Sequence, residues 1–252
     1  MDIYYNGDLK VVQANELVRS RQEDLTILEA KLIRLAISQV LKDDVDLKTY
    51  TCNVKDLAKF LKINKDNIYR DIQSLSKNIM KKSIFIKDKK GNYKIFHWID
   101  YIEYEEGVIT FKLSDSLKPY LLGLQKLFTL YEYDNILSLP TNNAIRLYEL
   151  LASYQRISFT KETLVETPLT KGLNKNEFRF TIDYLRDYFN CKDKYPHTSD
   201  FIKRVIEPSV RAIRKHTYMS VEYRIEKEKT SIKSIVFKLF AFLDEKGIEG
   251  YK

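Results

Sequence analysis

The chain has 252 residues, with 43 Lys and Arg against 35 Asp and Glu for a formal charge of +8, and a hydrophobic fraction of 44%, enough to build the core of one large or two ordinary globular domains. No uninterrupted apolar run approaches the roughly 18 residues of a bilayer span, the polar start from Met1 to Lys10 is unlike a signal peptide, and Cys52 and Cys191 are too few for a disulfide framework and lack zinc-ligand spacing. The expectation is therefore a cytoplasmic protein with two buried free thiols, whose positive charge suits a polyanionic partner, either nucleic acid or an anionic membrane.

In chain order, Val11 to Arg19 is a short mixed segment. Leu28, Leu32, Leu35, Ala36 and Gln39 to Val40 then recur at helical spacing and predict a core helix over Leu28 to Leu41, with Thr26 as its cap. A break at Asp43 to Asp46 leads to a β-prone run, Thr49 to Val54. Val54, Leu57, Phe60 and Leu61 predict a two-turn helix, and a second helix follows over Lys65 to Met80 with Ile68, Ile72, Leu75 and Ile79 inward. Asn67, Arg70, Ser74, Lys77 and Lys81 lie on its other side. Two helices joined by a short polar turn, the second with a basic outer face, meet the requirements of a helix-turn-helix. From Ile84 the period becomes alternating: Ile84, Ile86, Tyr93 and Ile95 flank the turn Asp88 to Asn92, a hairpin with Lys87, Lys89 and Lys90 at its tip, read as a wing. Strands are expected at Ile99 to Tyr104 and Val108 to Leu113 around the acidic turn Glu105-Glu106-Gly107, with His97 and Trp98 as packing residues.

The pattern then repeats. After helices at Leu117 to Leu124 and Thr141 to Tyr154, Ile182, Leu185, Tyr188 and Phe189 reproduce the spacing of Val54, Leu57, Phe60 and Leu61. A linker, Cys191 to Thr198, precedes a helix over Ser199 to Lys215. At 100° per residue, Phe201, Ile202, Val205, Ile206, Ser209 and Ile213 share one face, and Lys203, Arg204, Glu207, Arg211 and Arg214 the other. Ser199 or Asp200 is expected to cap it, Lys215 and His216 suit its negative end, and Pro208 should remove a backbone hydrogen bond and kink it. Strands at Val221 to Ile225 and Ile232 to Phe240, around the charged turn Glu226 to Lys229, form a second wing carrying Lys227 and Lys229. The expected fold is α+β, two tandem winged-helix domains over residues 1–125 and 126–252, with Phe159 to Phe178 a connection that has no place in the repeat.

Charge follows the same division. Residues 62–95 hold ten Lys or Arg against three Asp or Glu, and residues 192–238 twelve against six. Confinement of the excess to the two basic-helix and hairpin segments fits two phosphate-neutralising surfaces better than general solubility. A membrane surface fits less well, because the apolar side of each helix is needed for a core. The candidate DNA-binding residues are Asn67, Arg70, Ser74, Lys77 and Lys81 on the first helix, Lys87, Lys89 and Lys90 on its hairpin, His197, Ser199, Lys203, Arg204, Arg211, Arg214 and Lys215 at the second helix, and Lys227 and Lys229 on its wing.

These residues resemble the replication-initiator proteins of iteron-containing bacterial plasmids. The likeness runs through Val12-Gln13-Ala14-Asn15-Glu16-Leu17, Val54-Lys55-Asp56-Leu57-Ala58, Asn67-Ile68-Tyr69-Arg70, Ile145-Arg146-Leu147-Tyr148-Glu149-Leu150-Leu151, Tyr195, Asp200-Phe201, Arg204-Val205-Ile206 and Glu207-Pro208, spanning residues 11 to 240 in order. The resemblance implies that the C-terminal domain dominates recognition of repeated origin sites, with Lys203 and Arg204 matching a basic pair of the recognition helix. It implies that the N-terminal domain adds DNA contacts and a dimer interface, that monomers initiate while dimers repress the initiator's own gene at an inverted repeat, and that host replication proteins are partners. No enzyme, cofactor or metal site is expected: His97, His197 and His216 are not spaced as the metal-binding pair of a rolling-circle nickase, no Gly-Lys-Ser/Thr phosphate loop is present, and the acidic pairs Asp43-Asp44 and Glu105-Glu106 fall in turns. The rival is a winged-helix transcriptional repressor, which would act at an inverted repeat over a promoter, whereas an initiator uses several direct repeats beside an AT-rich tract.

Overall fold

The computed structural model describes residues 2–4, 7–61, 68–88, 90–159, 171–174 and 176–240. The chain opens with β1 (Lys10–Ala14), a one-turn helix α1 (Asn15–Val18), a two-residue strand β2 (Arg21–Gln22) and α2 (Ile27–Ser38). Thr26 caps α2 as expected: its hydroxyl accepts from the Glu29 amide at 3.3 Å, and the Glu29 carboxylate accepts from the Thr26 amide at 2.8 Å, satisfying two N–H groups that a helix start leaves without partners. β3 (Thr49–Asn53) runs directly into α3 (Val54–Leu61). Then come α4, described over Ile68–Ile79, and four strands, β4 (Ser83–Lys87), β5 (Tyr93–His97), β6 (Ile99–Glu105) and β7 (Val108–Leu113). Two short turns of helix, the second α5 (Lys118–Leu121), lead to β8 (Phe128–Glu132), α6 (Tyr133–Ser138) and α7 (Asn142–Phe159). The second half comprises β9 (Glu177–Thr181), α8 (Ile182–Tyr188), α9 (Thr198–Phe201), a π-helical turn (Ile202–Ile206), α10 (Glu207–His216), β10 (Val221–Glu228) and β11 (Ser231–Leu239).

The internal repeat is present in both helices and sheets. Val54, Leu57 and Leu61 are buried in the first half as Ile182, Leu185, Tyr188 and Phe189 are in the second. The strand that feeds each helix-turn-helix lies at the edge of a three-stranded antiparallel sheet, ordered β3-β7-β6 in one case and β9-β11-β10 in the other. This equivalence corrects the expected first wing. The hairpin in the wing's place is β6–β7, whose inner strand pairs with β3 and sets Tyr50 opposite Phe111. The basic hairpin β4–β5 pairs instead with β2, Arg21 lying opposite Phe85. Both hairpins alternate, so periodicity alone does not say which of them reaches β3. The connection from Phe159 to Phe178 also gains a partial place, because it ends in β9, where Phe178 and Phe180 pack on Tyr154 at ring-centroid separations of 5.4 Å.

Helix α7 packs into both halves. On one side, β1 pairs with β8, and beneath this ribbon Glu149 is fully buried with Arg34. Arg34 donates Nε and Nη2 to the two Glu149 oxygens at 3.0 and 2.8 Å, Gln13 donates to Glu149 Oε1 at 3.0 Å, and the Tyr131 hydroxyl donates to the same oxygen. Burial alone would raise the Glu149 carboxyl, but the Arg34 charge and hydrogen bonds, helped by Arg146 and Tyr131, hold it below its ordinary value. A buried pair of this kind adds little net stability, whereas removing one partner strands a charge in the core. Arg34→Met is therefore expected to lower the unfolding free energy by about 3–5 kcal/mol, with Arg34→Met/Glu149→Leu recovering a large part of the loss; urea unfolding of the three proteins measures both.

Candidate nucleic-acid interface

The second helix-turn-helix is shaped by its turn. Asn190 takes the left-handed conformation (φ 50°) just past α8, and the Cys191 amide returns to the Arg186 carbonyl at 2.9 Å, so the helix closes with its last carbonyls satisfied. Arg186 then donates to the carbonyls of Lys194 and Tyr195, both at 2.7 Å, with its guanidinium 5.2 Å from the centre of the Phe201 ring. The next helix begins at Thr198, with His197 at the cap position and no side-chain cap bond, so neither Ser199 nor Asp200 plays the expected capping role.

Pro208 does not interrupt this helix. Proline lacks the N–H that would bond to the residue 204 carbonyl, and its ring crowds that carbonyl in a regular α-helix. The turn before it widens to π spacing, with the Glu207 amide reaching the Ile202 carbonyl, and Pro208 falls in the first turn of α10, where an N–H is not required. The predicted kink is thus replaced by one wide turn in a continuous helix from 198 to 216. Phe201, Ile202, Val205, Ile206, Ser209, Val210, Ala212 and Ile213 are buried, while Lys203, Arg204, Glu207, Arg211, Arg214 and Lys215 are exposed, dividing the faces as the sequence indicates. At 1.5 Å per residue, the cations from Lys203 to Lys215 extend over about 18 Å.

Beside this helix, the β10–β11 hairpin turns at Lys229 (φ 53°) and Thr230. The turn is shorter than the expected Glu226 to Lys229, because Glu226 lies within β10 and points inward. Arg179 donates to its two oxygens at 2.6 and 3.0 Å and Ser234 donates at 2.7 Å, with a register shift between Glu226 and Lys227. The Arg179 hydrogen bonds, aided by Ser234, bring the Glu226 carboxyl down to about 2. Lys227 and Lys229 remain exposed.

The first half is arranged differently. Arg70, Ser74 and Lys77 are exposed on α4, with Lys81 just beyond it, and Arg70 has Asp71 3.6 Å away. Asn67 and Lys89 lie outside the described residues. Lys87 and Lys90 are exposed on the β4–β5 hairpin, whose tip is held by Asp88 accepting from the amides of Lys90 and Asn92 at 2.8 and 2.9 Å. These lysines belong to a different sheet from the hairpin in the wing's place, and the tip of that hairpin is acidic, Glu105-Glu106-Gly107. Tyr69 of α4 meets Tyr104 of β6 edge-on at 6.3 Å. Trp98 is buried as expected, but His97 is exposed on β5, where its face of the hairpin has no cover. The structure therefore gathers the second-half candidates on one helix and its hairpin, and divides the first-half candidates between α4 and an added hairpin.

Residues not singled out from the sequence join the second site. Lys192, Lys194 and Lys233, with Arg186 and Asp183, line a cleft of about 500 Å³ between α8, the helix-turn-helix turn and β11. The lysines at 192 and 194 were visible as charge in the linker, but only the fold brings Lys233 to them. Cys52 and Cys191 are free and buried, and burial pushes both thiols up to about 11. Among the described residues, no helix is long and apolar enough to cross a membrane.

Residues 10–152 match the family described as Initiator Replication protein, WH1, and residues 181–239 match Initiator Rep protein, WH2. The chain belongs to the replication-initiator family. It is a DNA-binding initiator built from two winged-helix domains, as expected from its repeated pattern. An uncharacterised 27.6 kDa protein of Escherichia coli is 22% identical over 254 residues, covering 94% of this chain and 98% of the relative. In three dimensions the initiator resembles the Pi initiator protein in the crystal structure of its complex with iteron DNA, with a TM-score of 0.71 and 20% identity, covering 95% of this chain and all of the other.

The inward carboxylate in the second wing has a measurable signature. Its folded value of about 2 lies below the ordinary 4.5, so the stabilisation it provides is complete above the ordinary range and is lost as pH falls through about 2. Glu226→Gln is expected to melt below the wild type at neutral pH, with the gap closing on acidification; thermal melts across that range check it.

Proposed function

We propose that the initiator binds direct repeats of duplex DNA at an origin as a monomer, with the helix from 198 to 216 in the major groove and the β10–β11 hairpin along the phosphates. The outer face of that helix carries the reading: Lys203, Arg204, Arg211, Arg214 and Lys215 are exposed, and among the described residues none has a carboxylate partner. Arginine offers the planar pair of donors that matches a guanine edge, and the remaining cations neutralise phosphates and release counterions. The binding of iteron DNA by the Pi initiator supports repeats as the target. The first domain adds a second and weaker patch through α4 and the β4–β5 lysines, its wing being acidic where the second wing is basic. Two helices entering the groove on one side of the duplex stand about one helical turn, roughly 34 Å, apart. No catalytic step falls to this chain in this reading, so helicase action belongs to a recruited host replication protein.

Self-association belongs on the first domain. Among the described residues β6 is an edge strand, paired only with β7, and carries exposed Tyr101 and Tyr104 among Asp100, Glu103 and Glu105. An acidic, aromatic edge repels phosphate and offers free backbone groups to another strand. A dimer joined there would repress the initiator's own gene at an inverted repeat.

Arg204→Ala is expected to weaken binding by about 1–3 kcal/mol and to blur sequence preference, whereas Lys229→Ala at the wing tip should weaken all duplexes alike and lower the salt slope by about one. Fluorescence anisotropy on selected and scrambled duplexes decides between these effects; preserved discrimination in Arg204→Ala would remove this helix from the groove. For the dimer, Tyr101→Lys/Tyr104→Lys should shift the full-length protein to monomer in sedimentation velocity while leaving DNA affinity intact.

A further inference from the structure

Arg146, on α7, is 3% exposed and, among the described residues, has no carboxylate within ion-pair distance. Its guanidinium is held by main-chain carbonyls: Nη1 donates to Val18 at 3.2 Å and Nη2 to Ser20 at 2.6 Å, with Tyr188 at 3.5 Å. It lies over the Tyr188 ring, 3.9 Å from the centroid, and the Tyr188 hydroxyl donates back to the Arg146 carbonyl at 2.8 Å. Three segments meet at one cation: the strap from Val18 to Asp24, helix α7, and the end of α8 where the second helix-turn-helix turns.

The same strap is fastened again on either side. Arg19 donates to the Ser153 hydroxyl at 2.9 Å and carbonyl at 2.6 Å and covers the Tyr154 ring at 3.8 Å, Arg21 reaches Asp187 at 3.8 Å, and Asp24 pairs with Lys194 of the turn before the recognition helix. Within the strap, β2 is also the strand that pairs with β4 of the basic hairpin. A path thus runs from Lys87 and Lys90 along the hairpin, across the β4–β2 pairing, and along the strap to the clasp on α7 and α8. A buried guanidinium whose donors find acceptors only in this arrangement opposes any sliding or rotation of one half on the other, because movement would strand the charge away from water.

We propose that Arg146 is a positioning residue for DNA recognition, fixing the distance and rotation between the recognition helix and the first-domain cations, so that the initiator selects repeats by the spacing of their two contact patches as well as by base sequence. This rests on the two-patch reading above. Inserting one base pair between the patches moves one by about 3.4 Å and turns it by about 34° relative to the other, which a fixed clasp cannot follow and a loosened one can.

The test uses the full-length protein and a duplex that it enriches from a random pool of about 30 base pairs, with and without one base pair inserted midway between the protected patches. Wild type should bind the inserted duplex about tenfold or more weaker. Arg146→Lys keeps the charge but lacks the planar fork that reaches several carbonyls and stacks on the ring; its insertion penalty should fall below about threefold, while a base change in the recognition-helix patch should cost it what it costs wild type. Arg19→Ala, at a half-buried position on the same strap, serves if Arg146→Lys does not fold, and should shift the penalty in the same direction. Loss of folding stability alone does not alter spacing preference. An unchanged insertion penalty in the folded variant overturns the inference while leaving two-patch binding intact. Indifference of the wild type to the insertion overturns two-patch binding, and the clasp's role with it.

Discussion

Helix α7 packs into both halves at once, and it does so partly with ionisable side chains that are almost wholly buried. Glu149 faces Arg34 under the β1–β8 ribbon, and one turn earlier Arg146 faces the carbonyls of Val18, Ser20 and Tyr188. Apolar contacts tolerate small sliding, since their attraction is non-directional. Buried charges do not, because each lost hydrogen bond leaves a group that neither water nor protein satisfies. The relation between the halves is therefore set by a few directional bonds on one helix, with apolar packing filling the space around them.

On this frame the two winged-helix units share a plan and differ in charge. Each has a strand feeding a helix-turn-helix, and each has a hairpin whose inner strand pairs with that strand. In the second unit, Glu226 is turned inward to Arg179 and Ser234, which leaves exposed Lys227 and Lys229 in excess over Glu228 at the tip. In the first unit, Glu105 and Glu106 occupy the tip, and cationic charge has moved to an added hairpin on β2. The same backbone plan thus presents phosphate with attraction at one wing and repulsion at the other, which supports the proposed division between a unit that reads DNA and one that also meets protein.

The recognition helix shows how a local rule can be broken without losing the element. Pro208 follows the wide turn at Ile202–Ile206, which removes the need for the hydrogen bond that proline cannot make. The helix therefore keeps an unbroken apolar side for the core and an unbroken cationic side for solvent.

Periodicity by itself determined the helix from Thr26, the helix-turn-helix pairs, the strands on either side of Gly107 and the split between Val205 and Arg204 faces, because amphipathic spacing and capping chemistry are local. Family likeness and charge confinement pointed to duplex DNA on the same residues. What only the tertiary structure decided are the pairings between distant segments: that β7 rather than the basic hairpin reaches β3, that β8 and β9 exist as partners of β1 and β11, that His97 faces outward, and that Arg146 binds carbonyls more than a hundred residues away. Strand partners and the acceptors of a buried arginine depend on contacts remote in sequence, and a pattern read along the chain carries no term for them.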